Sequence, residues 1–599
     1  MAKTKKTETG SGGAFWRIGL QWLSDSRVPL AVCALALLVY SRSLFCGFVR
    51  DDFPQIVHNR QVQSWEYLPQ LLGSHLWSQV SDGPSHFYRP IFSVWMLLVH
   101  TVGGLSPWFW HLSSILLHVV ATWLVFRLCR RLTGNDWGAA AAAALFAVHP
   151  IHVDAVTWIS ASCEVLFTIL ALAATLALLR REASDVPPHV WLSALLFGAG
   201  LFAKETGMVM LVILPVIAWI RLKDHVAASQ RMWKASYPYG VVTLGYLLIR
   251  WAVMRSVGVE LGEHSWAEVI FSAPSILLFY LKKLFLPWNL SGSYVNPLMA
   301  SAMPLFWLQL TAVVIGAAAI AWFAIRYRSL VGLAAALIVV PLLPALAVVR
   351  IYEQGDMIHD RYLYLPSIGL SLLVAMLVKK VWSLEKPARI TAIAAVIAVL
   401  AAYSSIAISQ QRYYQDDIAF YSRVIEICPS NALVRGMLGN VYLDRGREDL
   451  ALEQFRKANQ IAPDNQKVTF FLARGLVAAG KYHEAETVMK GLLQSPQLNP
   501  NRRGPTLVSL ANVEIILGNL NDAQQLLEQV EHSDDGFPQI HWTWGVLYQR
   551  QGLLPQALAE FEKEFEISGD ELARQRSASV ARLIQAQSAK RPTPQGNTR

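Results

Sequence analysis

Charge is what this chain has least of: Asp, Glu, Lys and Arg supply only 16% of its 599 residues, against about a quarter in soluble domains. Cysteine is sparse too. The five present (Cys33, Cys46, Cys129, Cys163 and Cys428) form no CxxC and no even framework, so neither structural disulfides nor a cysteine metal site is expected. No GxxxxGK[ST] occurs, and no GxGxxG follows a strand pattern, which argues against a loop that cradles a nucleotide. No cleavable leader is read, because the basic start MAKTKK is followed by Gly and Ser and then by a span too long for a signal peptide. The net charge is +10, but the basic residues fall in short clusters between apolar runs. Nucleic acid is therefore not an expected partner.

What is abundant is apolar. Hydrophobic residues make up 54% of the chain and the mean hydropathy is +0.35, the signature of a polytopic membrane protein with a soluble appendix. Runs near the ~20 residues needed to cross a bilayer occur at 29–46, 107–126, 137–155, 161–179, 189–203, 207–221, 237–255, 304–325, 330–349, 363–380 and 389–409. The fold expected is all-α, a bundle of about eleven spans. With residues 1–28 as a cytoplasmic tail, the basic clusters Lys3/Lys5/Lys6, Arg127/Arg130/Arg131, Arg180/Arg181, Arg221/Lys223, Arg326/Arg328 and Lys379/Lys380 all fall on the cytoplasmic side. Segments 47–106, 256–303 and 350–362 then lie outside, as does everything after 409. Counting 89–104 as a span would send Arg127, Arg130 and Arg131 to the wrong side. It is read instead as a helix in the outer interface, like 268–286, whose run is interrupted by Lys282 and Lys283.

The last third has a different grammar. Gly439, Tyr442, Gly446, Ala451, Phe455, Ala458 and Pro463 occupy the signature positions of a 34-residue helix–turn–helix repeat. Gly446 and Gly480 are 34 residues apart, as are Ala451 and Ala485, Gly518 and Gly552, and Ala523 and Ala557. The pattern predicts about four tetratricopeptide repeats over 413–567, an α-solenoid. An insertion containing SPQLNPNRRGP interrupts them, 568–588 reads as a polar capping helix, and KRPTPQGNTR as a disordered tail within 568–599.

On this topology the polar groups that need explaining are on the outer face. GFVRDDFPQIVHN carries Asp51 and Asp52 just past the first span, and HFYRPIF carries Arg89 at the start of an interfacial helix. HPIHVDAVTW holds His149, His152 and Asp154, while FAKETG holds Lys204 and Glu205. RIYEQGDMIHDRYLYLPS holds Arg350, Glu353, Asp356, Asp360 and Arg361. Each has an ordinary reading: a solvated turn for the acids, a snorkelling anchor for Arg89, packed histidines, an ion pair for Lys204 and Glu205. A zinc site from His149, His152 and Asp154 finds no second metal-spaced pair to support it. His111 and His118 share one helix face and read as core, and the 21 tryptophans largely as interfacial belt. Ionisable groups beside membrane segments are costly, however, and usually face a cavity or one another. Together they form a chemical set. A hydroxyl nucleophile needs a carboxylate within hydrogen-bond reach, and a phosphate leaving group needs Arg or Lys.

The ordered series GFVRDDFPQIVHN, YRPIF, HPIHVDAVTWI, AKETG and DRYLYLPSIGL, followed by the repeats, resembles the transmembrane and tetratricopeptide-repeat O-mannosyltransferases and their bacterial relatives, within the C-type glycosyltransferase superfamily. The likeness spans about residues 28–567. It implies a polyprenyl- or dolichyl-phosphate sugar donor, a protein hydroxyl acceptor, and an acidic motif in the first outer loop. Carried onto this chain, Asp51 and Asp52 are the acidic motif, with the base leaning to Asp52, and Arg89, Lys204 and Arg361 are the positions for donor phosphate. His149, His152 and Glu205 are further site candidates. Departures include only about four repeats, Thr206 after AKE, and Asp360 before Arg361, which leave the sugar and acceptor open. The function expected is an inverting transfer of a hexose such as mannose to an exported protein held by the repeats, with no cofactor and with metal dependence open. Few cysteines and the lack of a retention signal favour a bacterial inner membrane with periplasmic repeats, or lumenal repeats in an endoplasmic reticulum if the host is eukaryotic. The competing expectation is a non-enzymatic, membrane-anchored docking scaffold. A transporter would want an inverted repeat, and none is visible.

Overall fold

A computed structural model describes residues 27–78, 87–179, 190–221, 225–255, 265–295, 303–327, 330–348, 357–496, 498–531, 539–569 and 571–589. Lys3, Lys5, Lys6, Arg180, Arg181, Lys223, Arg328, Arg350, Glu353, Asp356 and the tail 590–599 lie outside the described residues. The chain divides into two units, Met1–Pro429 and Ser430–Arg599. Among the described residues both are built from helices, and the one β pairing is an isolated bridge between Tyr294 and Ile358.

The first unit is an integral membrane helix bundle. Among the described residues six helical stretches are long and apolar enough to cross a bilayer: Arg27–Phe45, Pro107–Thr133, Ile159–Leu178, Pro304–Trp322, Leu330–Ala347 and Lys386–Tyr414. The bent pair Asp136–Val148 and Pro150–Val156 would make a seventh. Val190–Ala203 and Glu205–Ile217 are shorter apolar helices. Leu308, Ile315, Trp322 and Ile397 stay exposed on this surface, as expected where the solvent is hydrocarbon. Elsewhere helices meet through small residues. A Cβ on Gly138 would lie 2.4 Å from the Ala375 carbonyl oxygen, and one on Gly369 2.4 Å from that of Ala334, so only glycine permits these backbone approaches.

One end of the bundle is marked by basic residues. The Arg131 guanidinium donates to the Leu179 carbonyl at 2.8 Å, and Lys379 Nζ donates to the Thr133 carbonyl at 2.8 Å. Three helix C-termini thus gather there, and two of them present terminal carbonyls to a cation from a neighbouring helix. The two segments read as interfacial are helices, Pro90–Gly103 and Trp266–Phe285. Pro90 opens the first, and a Ser265/Glu268 capping box opens the second. Residues 47–78 fold over Pro90–Gly103 and the start of Pro107–Thr133 through Ile56, Val62, Leu71 and Leu76 against Phe92, Met96 and Trp110.

The second unit is a helical-repeat solenoid, with helix pairs from Ala432–Asp444 to Leu554–Ser568. The Phe455 ring explains the 34-residue spacing. It lies where a Cβ would sit on Gly439 of its own repeat (2.4 Å) and on Gly475 of the next (2.2 Å), so small and large residues interlock between neighbours. The turn glycines Gly446, Gly480, Gly518 and Gly552 all have φ between +67° and +88°, the left-handed conformation that ends a helix without a Cβ penalty. Glu571–Ala589 forms a final helix.

Candidate functional site

Every polar group of interest sits at a break between helices. Arg50, in the turn after Ser41–Phe45, takes φ +52°, rare for a residue with a side chain. Arg89 precedes Pro90, whose ring keeps the preceding residue out of helical geometry; its φ is −130°. Lys204 is fully extended, φ −159°, between the helix Val190–Ala203 and the turn Glu205–Val209. Trp158 links the turns Val153–Val156 and Ile159–Ser162, and Arg361 lies in the turn Asp360–Leu363. Interrupted backbone next to apolar helices is tolerated where it lines a protein or water cavity.

These breaks converge on one open cleft of about 600 Å³, part of it continuous with solvent. Its wall includes Asp51, Gln55, Arg89, Lys204, Glu205 and Arg361, with Trp77, Phe87, Trp158 and Tyr362 as aromatic faces. The three cations each meet a carboxylate. Arg89 grips Glu205 bidentately, Nε to Oε2 at 2.9 Å and NH2 to Oε1 at 2.5 Å. Lys204 pairs with Glu164, both side chains nearly fully buried. Arg361 donates its backbone N–H to Asp154 Oδ2 at 3.0 Å, with its guanidinium 3.8 Å from the same oxygen. The guanidiniums of Arg361 and Arg50 lie 4.6 and 5.2 Å from the Trp158 ring centroid, within cation–π range. A second hollow of about 360 Å³ shares Lys204, Thr206 and Tyr362 with the cleft and continues along Phe167, Val209, Ala345 and Leu365.

The two adjacent aspartates differ sharply. Asp51 lines the cleft and its side chain is 34% exposed, 4.0 Å from Arg50 Nε. Asp52 is fully buried and accepts from Ser160 N–H (2.8 Å), Ser160 Oγ (2.6 Å) and Val49 N–H (3.0 Å). Burial raises its pKa from 3.8 to about 7, against those three donors, which lower it, and with a smaller upward push from Asp51. Asp52 is a brace between the acidic loop and the Ser160 turn and is not part of the cleft wall, so the lean toward Asp52 as the base is not what the geometry favours.

Of the other sequence candidates, Arg89, Lys204, Glu205 and Arg361 are brought together with Asp51, and the histidines are not. His149 Nε2 is 3.0 Å from the Leu284 carbonyl, and His152 Nε2 is 2.9 Å from Ser367 Oγ; both rings are buried away from the cleft. Asp154 is engaged by Tyr414 and Arg361. Among the described residues no three His, Cys, Asp or Glu side chains are disposed to hold a metal. Two contributors escaped sequence reasoning. Glu164 had a usable signal, a lone acid in an apolar run that must find a partner. Trp158 had none, because one more tryptophan near an interface is ordinary.

Residues 88–253 match the family model for dolichyl-phosphate-mannose-protein mannosyltransferases, and 442–503 match a tetratricopeptide-repeat model. The protein O-mannosyl-transferase Tmtc2 of Drosophila melanogaster is 34% identical over 214 residues, 34% of this chain and 23% of that protein. Human protein O-mannosyl-transferase TMTC3 is 23% identical over 580 residues, 88% of this chain and 63% of the other. The matched part thus spans less than two thirds of these relatives' length. Among solved structures, ArnT from Cupriavidus metallidurans bound to undecaprenyl phosphate aligns with 79% of this chain and 81% of its own at 16% identity and a TM-score of 0.34, too loose an overlap to argue from. The resemblance to the transmembrane and tetratricopeptide-repeat O-mannosyltransferases therefore stands on the sequence matches.

Proposed function

We propose that this chain is a membrane glycosyltransferase that moves a hexose such as mannose from a polyprenyl-phosphate-linked donor to a Ser or Thr hydroxyl of an exported protein. One observation carries the reading: Asp51, a carboxylate open to solvent, shares a cleft with Arg89, Lys204 and Arg361. Asp51 is the general base and takes the hydroxyl proton. The hydroxyl oxygen attacks the anomeric carbon in a single displacement, the bond from that carbon to the phosphate oxygen breaks, and its electron pair leaves with the lipid phosphate. One displacement inverts the anomeric centre. The leaving charge is met by Arg89, Lys204 and Arg361. Each of these cations already has a carboxylate partner, so their positive charge is partly offset. The donor carries one negative charge as a phosphodiester and leaves as a phosphomonoester with a second, which the remaining positive charge meets.

The apolar extension past Tyr362 toward Leu365 supports a donor whose leaving group is a hydrocarbon lipid. The repeats would hold an extended acceptor segment. Exported acceptors fit a bacterial inner membrane with the repeats in the periplasm; no apolar run separates Tyr414 from the first repeat.

The test is purified full-length protein supplied with farnesyl-phosphate mannose and a Ser/Thr-rich peptide, comparing wild type, Asp51→Asn and Asp52→Asn. Loss of transfer in Asp51→Asn, with the larger part retained in Asp52→Asn, is expected. Full activity in both variants would end the proposal.

A further inference from the structure

The segment after the last apolar helix is knitted into the acidic loop. Gly47 N–H donates to the Gln415 carbonyl at 2.9 Å, and a Cβ on Gly47 would come within 3.0 Å of that same oxygen. Cys46 Sγ lies 3.4 Å from the Gln411 carbonyl, and Gln411 Nε2 donates to the Val39 carbonyl at 2.8 Å. Tyr414 donates to Asp154, the carboxylate that holds Arg361. Phe420 stands 5.8 Å from the Trp158 ring and lies within 5.9 Å of the Arg50 guanidinium.

The most specific contact comes from Asp417, the first residue of the helix Asp417–Ile427. Its Oδ1 accepts the Arg50 backbone N–H at 2.6 Å. Arg50 is the residue with φ +52°, immediately before Asp51. An unfavourable backbone conformation persists only where its surroundings hold it. A charge-assisted hydrogen bond on the amide of that very residue is a direct way to do so. Residues 411–427 precede the first repeat helix, which begins at Ala432, and belong to the same unit as the cleft.

We infer that Asp417 is a positioning residue for Asp51, and that residues 411–420 form the back wall of the acidic loop. Asp417 is not among the residues that line the cleft. It fixes the turn that aims the Asp51 carboxylate into the cleft, while Arg89 and Lys204 are held independently by Glu205 and Glu164. The catalytic part of this inference rests on the transfer reading above; the structural part does not.

The experiment uses the full chain with farnesyl-phosphate mannose and a Ser/Thr-rich peptide, and pairs kinetics with hydrogen–deuterium exchange. Asp417→Ala is expected to lower kcat about tenfold or more, with the donor KM within about twofold, because base placement is lost and phosphate binding is not. Exchange should rise at residues 47–52 and stay unchanged in the helix Pro90–Gly103. Asp417→Asn keeps an acceptor oxygen and should restore kcat to within about threefold of wild type. Wild-type kcat in Asp417→Ala, a matching rise in KM, or failure of Asn to rescue would each overturn the positioning role. Should Asp417→Ala not accumulate, Gly47→Ala wedges the same loop from Gln415 and must show the same kcat loss and local exchange, or the inference fails. If Asp51→Asn is itself fully active, Asp51 is not the base, the catalytic part of the inference falls, and exchange at 47–52 alone decides whether Asp417 pins the loop.

Discussion

Ion pairs of the same chemistry occur on the repeat surface and in the cleft, and they do different things. Lys457 and Glu453 lie one helical turn apart on a solenoid helix, with both side chains about half exposed. Water screens such pairs, and each is worth about 0.3–0.5 kcal/mol. Lys204–Glu164 is 5% and 7% exposed, and joins a helix break to a separate apolar helix. There the members cannot fall back on solvent, so the pair fixes where each charge sits. Surface pairs decorate a fold that interlocking Gly and Phe already specify. Cleft pairs set the geometry of the charges themselves.

The largest expected effect sharpens this contrast on the chemical side. Asp51→Asn should lower transfer by about 10²–10⁴-fold, the usual range for loss of a general base. The assay is turnover of farnesyl-phosphate mannose with a peptide acceptor, and a loss below tenfold would argue that Asp51 is not the base. Next is Glu164→Gln, which leaves Lys204 buried without its counter-charge. Thermal or denaturant unfolding should show a loss of about 3–5 kcal/mol, and an unchanged midpoint would break the claim that the cleft pairs are structural. Gly475→Ala forces a Cβ within 2.2 Å of the Phe455 ring. Overpacking there should cost about 1–3 kcal/mol, read as early melting of the repeats with transfer chemistry otherwise intact. The smallest effect is Glu453→Ala, at about 0.5 kcal/mol or less; a loss as large as that of Glu164→Gln would erase the comparison.

Stability should also depend on pH in a direction set by buried acids. The folded pKa of Asp52 is about 7 against an ordinary 3.8. The folded protein therefore keeps a proton that the unfolded chain has released, and stability falls as pH rises from about 4 to about 7. Asp360, held up to about 7 by burial, adds a slope of the same sign. Asp52→Asn should remove part of that fall and leave the rest. Melting curves across this window check it, and an identical slope in wild type and variant would contradict the assignment.

How much was legible follows from the range of the interactions. Repeat spacing is local: Gly446 and Gly480 recur because each helix pair solves the same packing problem against its neighbour. Apolar runs are local too, since a span must satisfy its own backbone. The helix Pro90–Gly103 could be anticipated from Pro90, and Arg89 singled out because it precedes that proline. The choice between Asp51 and Asp52 could not be read locally. Two adjacent acids carry the same spacing and charge, and what separates them is Ser160, more than a hundred positions away, which takes up Asp52 and leaves its neighbour facing the cleft. His149 and His152 looked like site residues for the converse reason. A histidine's partners, here the Leu284 carbonyl and Ser367, are invisible in a linear motif.

The sequence by itself determined the class of the molecule: a membrane bundle by its scarcity of charge, a solenoid by its 34-residue period, and a set of acids and bases beside apolar runs too costly to be incidental. Only the tertiary structure decided which of them meet. It drew Arg89 to Glu205, Lys204 to Glu164 and Asp417 to Arg50, pairings between residues 40 to 367 positions apart. Burial and hydrogen bonding assign roles to charged groups, and both depend on neighbours that folding supplies.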